Sequence, residues 1–360
     1  MERMTLLELE RRAAAGPVEA ILRVQLEAVR SRLTKQDKDY LELEFTDGEG
    51  RLQLRIWADH PLHAEATKLR ERDFLELGGR WTFRDPFGLE PGRLTLRPLA
   101  EEEKDAFLQG PAGLRERQDA DYRSIQEYVS GMRDPRLAGL ASRFLTEYGE
   151  RFRRTAAARE FHHARRGGLV EHVAQMLRSA DALCGVYTSI HRDLLLAGVL
   201  FHDCGKLWEN SCEKDGFAMP YQEVGELIGH IACGMELVNR LWRDLEEAGD
   251  LERWKEWVPG NDDVRLHLLH LIAAHHGTQE FGSPVVPRTP EAMLLHFVDN
   301  IDAKMEMMSE GYARGRKLAP RIFQRVRPLP ANLVAALGQG VAPQGEISPA
   351  GREETGPPEE

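Results

Sequence analysis

The hydrophobic period changes once along this chain, and that change sets what it can fold into. Between about Pro17 and Pro98, apolar residues recur at every second position, the period of a strand with one buried face. Tyr40-Leu41-Glu42-Leu43-Glu44-Phe45 places Leu41, Leu43 and Phe45 on one side. After the turn Thr46-Asp47-Gly48-Glu49-Gly50, Leu52, Leu54 and Ile56 alternate with Arg51, Gln53, Arg55 and Trp57. An Asp-Gly turn between two alternating runs signals a hairpin. From Tyr122 to about Phe323 the period is helical, as in Leu169, Val173, Met176, Leu177, Ala180 and Leu183. A β unit therefore precedes an all-α unit.

The β unit begins with a strand that turns Leu22, Val24 and Leu26 inward. The hairpin follows, then a helical segment near Pro61 to Arg70, then strands near Phe74 to Phe83 and Arg93 to Arg97. Three strands, a helix and two strands is the element order of an OB-fold, a small β-barrel that binds oligonucleotides on the face of its second and third strands. That face carries Tyr40, Arg51, Arg55 and Trp57, together with Glu42 and Glu44. Arg55 and Trp57 are the expected oligonucleotide contacts. The expected divisions are an N-terminal arm or short charged helix at 1–16, the OB-fold barrel at 17–99, a polar linker at 100–121 and the helical domain at 122–327. The Gly-, Pro- and Glu-rich segment 338–360 reads as a disordered tail.

A formal charge of −11 argues against wholesale coating of duplex nucleic acid. The bases are nevertheless concentrated. Arg314, Arg316, Lys317, Arg321, Arg325 and Arg327 occur between Gly311 and Arg327 without an acid. Arg151, Arg153, Arg154, Arg159, Arg165 and Arg166 face one acid, Glu160. Two such patches point to a phosphate-bearing substrate. No apolar run approaches the roughly 18 residues that span a bilayer, and the N-terminus has no signal-peptide core. A cytoplasmic protein without a membrane segment is expected. Cys184, Cys204, Cys212 and Cys233 form no CxxC pair and read as reduced packing residues.

The chemistry concentrates where the apolar run Leu194 to Phe201 ends in His202-Asp203-Cys204-Gly205-Lys206. A buried charge without a partner is costly or changes its protonation state, so this juxtaposition points to a shared cation. His172 precedes it, and His230, His275-His276 and Asp299 follow. Imidazole with carboxylate suits Mn, Fe, Co, Ni or Zn better than Mg alone. Any one of these histidines alone would read as a core or cap residue; the ordered set does not.

That order resembles the HD-domain superfamily of metal-dependent phosphohydrolases. The resemblance implies that His172, His202, Asp203 and Asp299 ligate the defining metal. It makes His230 and one of His275 or His276 further ligands, with Asp203 bridging. Asp203 and Lys206 would be the catalytic pair, Lys206 meeting a phosphate oxygen. An OB-like domain followed by an HD domain is, more closely, similar to the YhaM family of 3′-to-5′ exoribonucleases. The matching segments are His162-His163-Ala164 with Gly167-Gly168-Leu169-Val170-Glu171-His172, Gly225 to His230, His275-His276-Gly277, Phe281 to Ala292, and Asp299 to Met305.

The likeness spans roughly residues 17 to 325. It implies removal of nucleotides from single-stranded 3′ ends with one or two divalent ions. Mn is the usual ion, with Fe, Co, Ni or Zn as alternatives. Single-stranded RNA is the expected partner, with single-stranded DNA and homo-oligomer formation open. His163, next to His162, either touches substrate phosphate or caps a helix, and Arg316 with Lys317 are the remaining substrate contacts. Asp302 either orients a ligand or pairs with a nearby base. The rival readings are an HD phosphohydrolase of nucleotides or cyclic nucleotides whose OB-like domain serves assembly, and an RNA-binding protein with a relic metal site.

Overall fold

The computed structural model describes residues 1–34, 38–84, 88–110, 112–159 and 163–337. The tail expected to be disordered, 338–360, lies outside them. The chain opens with β1 (Glu2–Met4) and α1 (Leu6–Ala13), and both belong to the β unit. β1 pairs in parallel with Ala20 to Leu22. Leu6, Leu9 and Ala13 of α1 lie on one helical face and are buried in the barrel core. The expected arm is therefore a packed strand and helix.

β2 (Val18–Leu33), β3 (Asp39–Thr46), β4 (Arg51–Trp57), α2 (His63–Ala66), β5 (Phe74–Arg84), β6 (Gly88–Pro91) and β7 (Thr95–Pro98) follow. The sheet order is β4-β3-β2-β5-β6, with β7 also on β5. The long β2 pairs with β5 along its first half and with β3 along its second. A register shift between Leu26 and Ala28 marks the bulge at which it bends from one to the other. This is an OB-like arrangement. Leu22, Val24, Leu26, Leu41, Leu43, Phe45, Leu52, Leu54 and Ile56 all face its core.

The polar segment 100–121 is not an irregular linker. It forms α3 (Glu101–Leu108) and the first half of α4 (Ala112–Ser130). Three glutamates in the first turn of α3 complement its N-terminal dipole. α3 buries none of its residues, which is why its composition resembles a linker. Phe107 of α3 packs between Phe74 of the barrel and Phe217 of the helical domain, at ring-centroid distances of 6.1 and 5.2 Å. The Phe217 amide also donates to Gln25 Oε1 of β2 at 2.7 Å. These contacts seat the barrel on the helical domain.

That domain contains α5 (Pro135–Phe152), α6 (Gly168–Cys184), α7 (Arg192–Phe201), a 3-10 turn (Cys204–Trp208), α8 (Glu223–Glu247), α9 (Asp250–Arg253), α10 (Asn261–Ala274), a second 3-10 turn (Gln279–Phe281) and α11 (Pro290–Arg314). A small antiparallel sheet of β8 (Lys317–Ala319), β9 (Ile322–Phe323) and β10 (Leu333–Val334) packs on the far end of α11. α7 is the hub: it is buried from Asp193 to Phe201 and packs against α5, α6, α10 and α11. Among the described residues no helix is long and apolar enough to cross a membrane.

The start of α5 is fastened by a buried ion pair. Arg136 donates to Asp134 through Nε at 2.9 Å and Nη2 at 2.7 Å, and to the Pro259 carbonyl ahead of α10 at 2.6 Å. Burial pushes the Asp134 carboxyl up, but the Arg136 guanidinium outweighs this and holds it below its ordinary value. Arg136→Ala strands a buried anion and should cost about 3–5 kcal/mol of stability in urea unfolding at neutral pH. The Asp134 contribution is full above the ordinary aspartate range and is lost as pH falls through its lower folded value. The stabilities of variant and wild type should therefore converge in acid; a gap that stays constant with pH would assign the loss to packing alone.

Candidate metal centre

Side chains from, or next to, five helices converge on Asp203. α7 stops at His202, and Asp203 (φ −109°, ψ 11°) leaves helical geometry as the chain tightens into the 3-10 turn. Asp203 Oδ2 lies 3.2 Å from His202 Nε2 and 2.6 Å from Lys206 Nζ. Its Oδ1 lies 3.6 Å from His230 Nε2 and 3.6 Å from His275 Nε2. His172 Nε2, from α6, is 3.3 Å from His202 Nε2 and 3.4 Å from Asp299 Oδ1 of α11. His275 caps the C-terminal end of α10. His230 follows a break in α8 at Gly229 (φ 78°, ψ 160°), a conformation that side chains with a Cβ rarely adopt.

The rings are held so that Nε2 faces inward. His202 Nδ1 donates to the Val199 carbonyl at 2.8 Å and His275 Nδ1 to the Ile272 carbonyl at 2.7 Å. His276 Nδ1 donates to the Phe281 carbonyl at 2.8 Å. His172 Nδ1 donates to Asp302 Oδ2 at 2.7 Å, and His230 Nδ1 lies 3.2 Å from Glu209 Oε2. Fixing Nδ1 in this way leaves the Nε2 lone pair for a ligand. Asp203 Oδ1, His230 Nε2 and His275 Nε2 are buried and make no hydrogen bond. Protein cores pair nearly all such atoms. Three unpaired atoms facing one another therefore fit a divalent cation, and the nitrogen and oxygen donor set suits a transition metal.

The electrostatics agree. Burial would raise the Asp203 carboxyl, but Lys206, His202 and His230 hold it well below the usual carboxylate range. Burial likewise opposes, and His172 and His202 outweigh, a lowered Asp299. Burial, with His202 nearby, drives His275 well down and keeps it neutral. Burial pushes His172 down too, yet Asp299 and Asp302 prevail and lift it to about 9. A cation taking His172 must displace that proton.

The cluster brings His172, His202, Asp203, His230, His275, His276 and Asp299 together. His275 is fully buried against Asp203, while His276 is half-buried, its ring 4.2 Å from that of His275 and 5.1 Å from that of His230. Lys206 rests on Asp203. His163 is not at the substrate side: it is fully buried behind His172, with Nε2 3.1 Å from Asp302 Oδ2. His162 lies outside the described residues. Arg316 and Lys317 are exposed on or beside β8, which follows the end of α11. At 1.5 Å per residue, that end lies about 22 Å along the axis from Asp299, so they do not flank the cluster.

The other basic run is also largely engaged. Arg159 and Arg166 donate to carbonyls of the 209–220 segment, Arg153 pairs with Asp119, and Arg165 pairs with Glu171 and Glu306. On the barrel, Arg55 and Trp57 are exposed as expected for a surface face, Trp57 tilting against Tyr40 at 4.9 Å. Glu42 and Glu44 there are balanced by Arg30, with Arg32 also 3.8 Å from Glu42. Glu209, Glu171 and Glu306 carry no site motif in the sequence, and Arg165 stands there only as part of a basic run. Only Glu171, beside His172, carried a local signal.

The HD domain family matches residues 169–304, the span that holds every member of the cluster. The chain is 31% identical over 297 residues to the 3′-5′ exoribonuclease YhaM of Bacillus pumilus, covering 81% of this chain and 87% of that one. It is 32% identical over 286 residues to the 3′-5′ exoribonuclease YhaM of Bacillus subtilis, with coverage of 78% and 84%. Against the protein of the same name from a Geobacillus species it is 30% identical over 283 residues, with coverage of 79% and 82%.

Proposed function

The chain belongs to the family of the 3′-5′ exoribonuclease YhaM, and on that premise we propose that it hydrolyses single-stranded RNA from the 3′ end with divalent metal. The observation that carries this reading is the set of buried, unpaired atoms Asp203 Oδ1, His230 Nε2 and His275 Nε2 beside the His172, His202, Asp203 group. His172, His202, Asp203 and Asp299 would hold one ion. His230, His275 and the shared Asp203 would hold a second, with His276 at its edge. Mn is the first candidate, ahead of Fe, Co, Ni or Zn. Such ions supply Lewis-acid polarisation of the phosphodiester and lower the pKa of bound water.

The chain's own residues do the rest. Lys206, 12% exposed, keeps Asp203 ionised and offers its charge to a phosphate oxygen at the rim. The buried, apolar α7 fixes the position of His202 and Asp203 at its end. On the barrel, Arg55 offers a phosphate contact and Trp57 a stacking surface, so this domain binds the strand and takes no part in the chemistry. Arg316 and Lys317, remote from the cluster, serve at most the distal part of a long strand. The units that follow from this reading are an oligonucleotide-binding barrel that includes α1, and a phosphohydrolase domain that begins with α4.

The test is a single-stranded RNA labelled at its 5′ end, incubated with Mn and compared with a panel of mononucleotides and cyclic nucleotides. A ladder that shortens from the 3′ end supports the reading. Preferential turnover of the cyclic or mononucleotide panel would replace it with a small-nucleotide phosphohydrolase. Stacking contributes about 1–3 kcal/mol per base, so Trp57→Ala should raise KM for the oligonucleotide by about five- to 150-fold at unchanged kcat. An unchanged KM would reduce the barrel to an assembly module.

A further inference from the structure

We propose that two carboxylates outside the cluster, Asp302 and Glu209, each position one half of it: Asp302, clamped by His163, aims His172, and Glu209 aims His230. This rests on the reading that the cluster holds divalent metal.

The histidines are anchored in two different ways. His202 and His275 each donate Nδ1–H to a carbonyl three residues earlier, Val199 and Ile272, so the local main chain aims them. His172 and His230 are aimed by side chains from other elements: Asp302 comes from α11 and Glu209 from the end of the 3-10 turn. A carboxylate behind an imidazole fixes its orientation and makes it a more basic ligand than a carbonyl does. Each half thus has one ring set by a carbonyl and one set by a carboxylate, with Asp203 common to both.

The Asp302 side is built with unusual redundancy. Its Oδ2 accepts from His172 Nδ1 at 2.7 Å and from His163 Nε2 at 3.1 Å, and both rings are fully buried. His163 holds φ at 46°, which a non-glycine residue adopts only when its surroundings enforce it. The turn closes because residue 168 is glycine: a Cβ there would stand 2.0 Å from the His163 carbonyl oxygen. Behind the ring, Arg165 bridges Glu171 and Glu306, and Gln118 of α4 donates to Glu171 at 2.7 Å. Glu209 makes the simpler arrangement, 23% exposed and 3.2 Å from His230 Nδ1. The His172 half is therefore the rigid, tight position and the His230 half the looser one.

The test is Co(II) titration of the full-length, metal-free protein, followed by calorimetry and visible absorption. Wild type should take up two ions of unequal affinity. Asp302→Ala should weaken the tight position by about 10–100-fold, and Glu209→Ala the weak one by a similar factor, each leaving the other in place. Asp302→Asn keeps an oxygen that accepts from Nδ1–H and should recover part of the affinity with a Co(II) spectrum near wild type. Thermal unfolding of the metal-free variants guards against misfolding; if either alanine variant fails to fold, Asp302→Asn and Glu209→Gln carry the comparison. Wild-type affinities for both positions in the two alanine variants (or, if these do not fold, in Asp302→Asn and Glu209→Gln), or loss of the same position by both, would overturn the proposal. Wild type that binds Co(II) but does not degrade RNA would refute the nuclease reading alone and leave this inference standing. Wild type that binds no Co(II) would refute both.

Discussion

Asp203→Ala should lower kcat/KM on single-stranded RNA by about a thousandfold or more, corresponding to about 4 kcal/mol of transition-state stabilisation. Asp203 offers a carboxylate oxygen to each half of the cluster. Its Oδ1 meets His230 and His275, and its Oδ2 meets His202 and Lys206. Without it, neither half keeps its full donor set. Lys206 also loses its carboxylate, but at 12% exposure its flexible stem can turn the ammonium toward water. The folding penalty should therefore be much smaller than the catalytic one. Elemental analysis should find the metal content reduced, and thermal unfolding should still show a cooperative transition. Activity within about tenfold of wild type would remove Asp203 from the chemistry and, with it, the metal reading. Asp203→Asn, which keeps the shape but not the charge, should fall nearly as far, because its amide supplies no anionic charge between the two positions.

The cluster was legible in the sequence for a physical reason, although the role of each member came from the family resemblance. An imidazole and a carboxylate at the end of an apolar run have few places to go, and five further groups of the same kind at the right intervals make a common destination the simplest solution. What backs the cluster was legible only in part. Asp302 was expected either to orient a ligand or to pair with a base, but the sequence did not say which histidine it would meet, and Glu209 carried no signal. The bond from His172 to Asp302 joins residues 130 apart and exists only because α6 and α11 pack side by side. His163, ahead of the Gly167-Gly168 turn, was expected either to touch substrate phosphate or to cap a helix. Here the turn, with Gly167 at φ 80° and His163 itself at a positive φ, folds the ring inward.

Charge misled in a related way. Arg159 and Arg166 read as free cations, since the carbonyls they grip in the 209–220 segment carry no sequence signature. The same limit applies to 100–121. A surface helix that buries nothing has the composition of a linker, and only its acidic first turn hinted otherwise. In the barrel, by contrast, alternation was a direct readout, because a strand must place every second side chain on one face.

Gly205→Ala should damage the centre by a different route, with a loss about tenfold smaller than that of Asp203→Ala. Gly205 sits in the 3-10 turn two residues after Asp203. A Cβ there would stand 1.8 Å from the His230 carbonyl oxygen, 2.6 Å from the His230 carbonyl carbon and 2.8 Å from the Gly234 amide nitrogen. These are main-chain atoms of α8, so no side-chain rotation can relieve the overlap. The turn and the helix must separate, and overpacking of this kind costs about 1–3 kcal/mol. Their close approach is also what brings His230 Nε2 to 3.6 Å from Asp203 Oδ1. A displacement of about 1 Å at a reacting centre can cost about a hundredfold in rate, and that is the loss expected for Gly205→Ala on RNA. The three nearest overlapping atoms belong to His230 and Gly234 of α8, the helix that supplies His230, so the ion at the His172 half should remain while the ion at the His230 half is lost. Asp203→Ala should lose both, so Co(II) stoichiometry separates the two variants even where their rates are similar. A Gly205→Ala protein with wild-type Tm and two bound ions would show that α8 yields without cost, and the close approach at Gly205 would then not be what shapes the site.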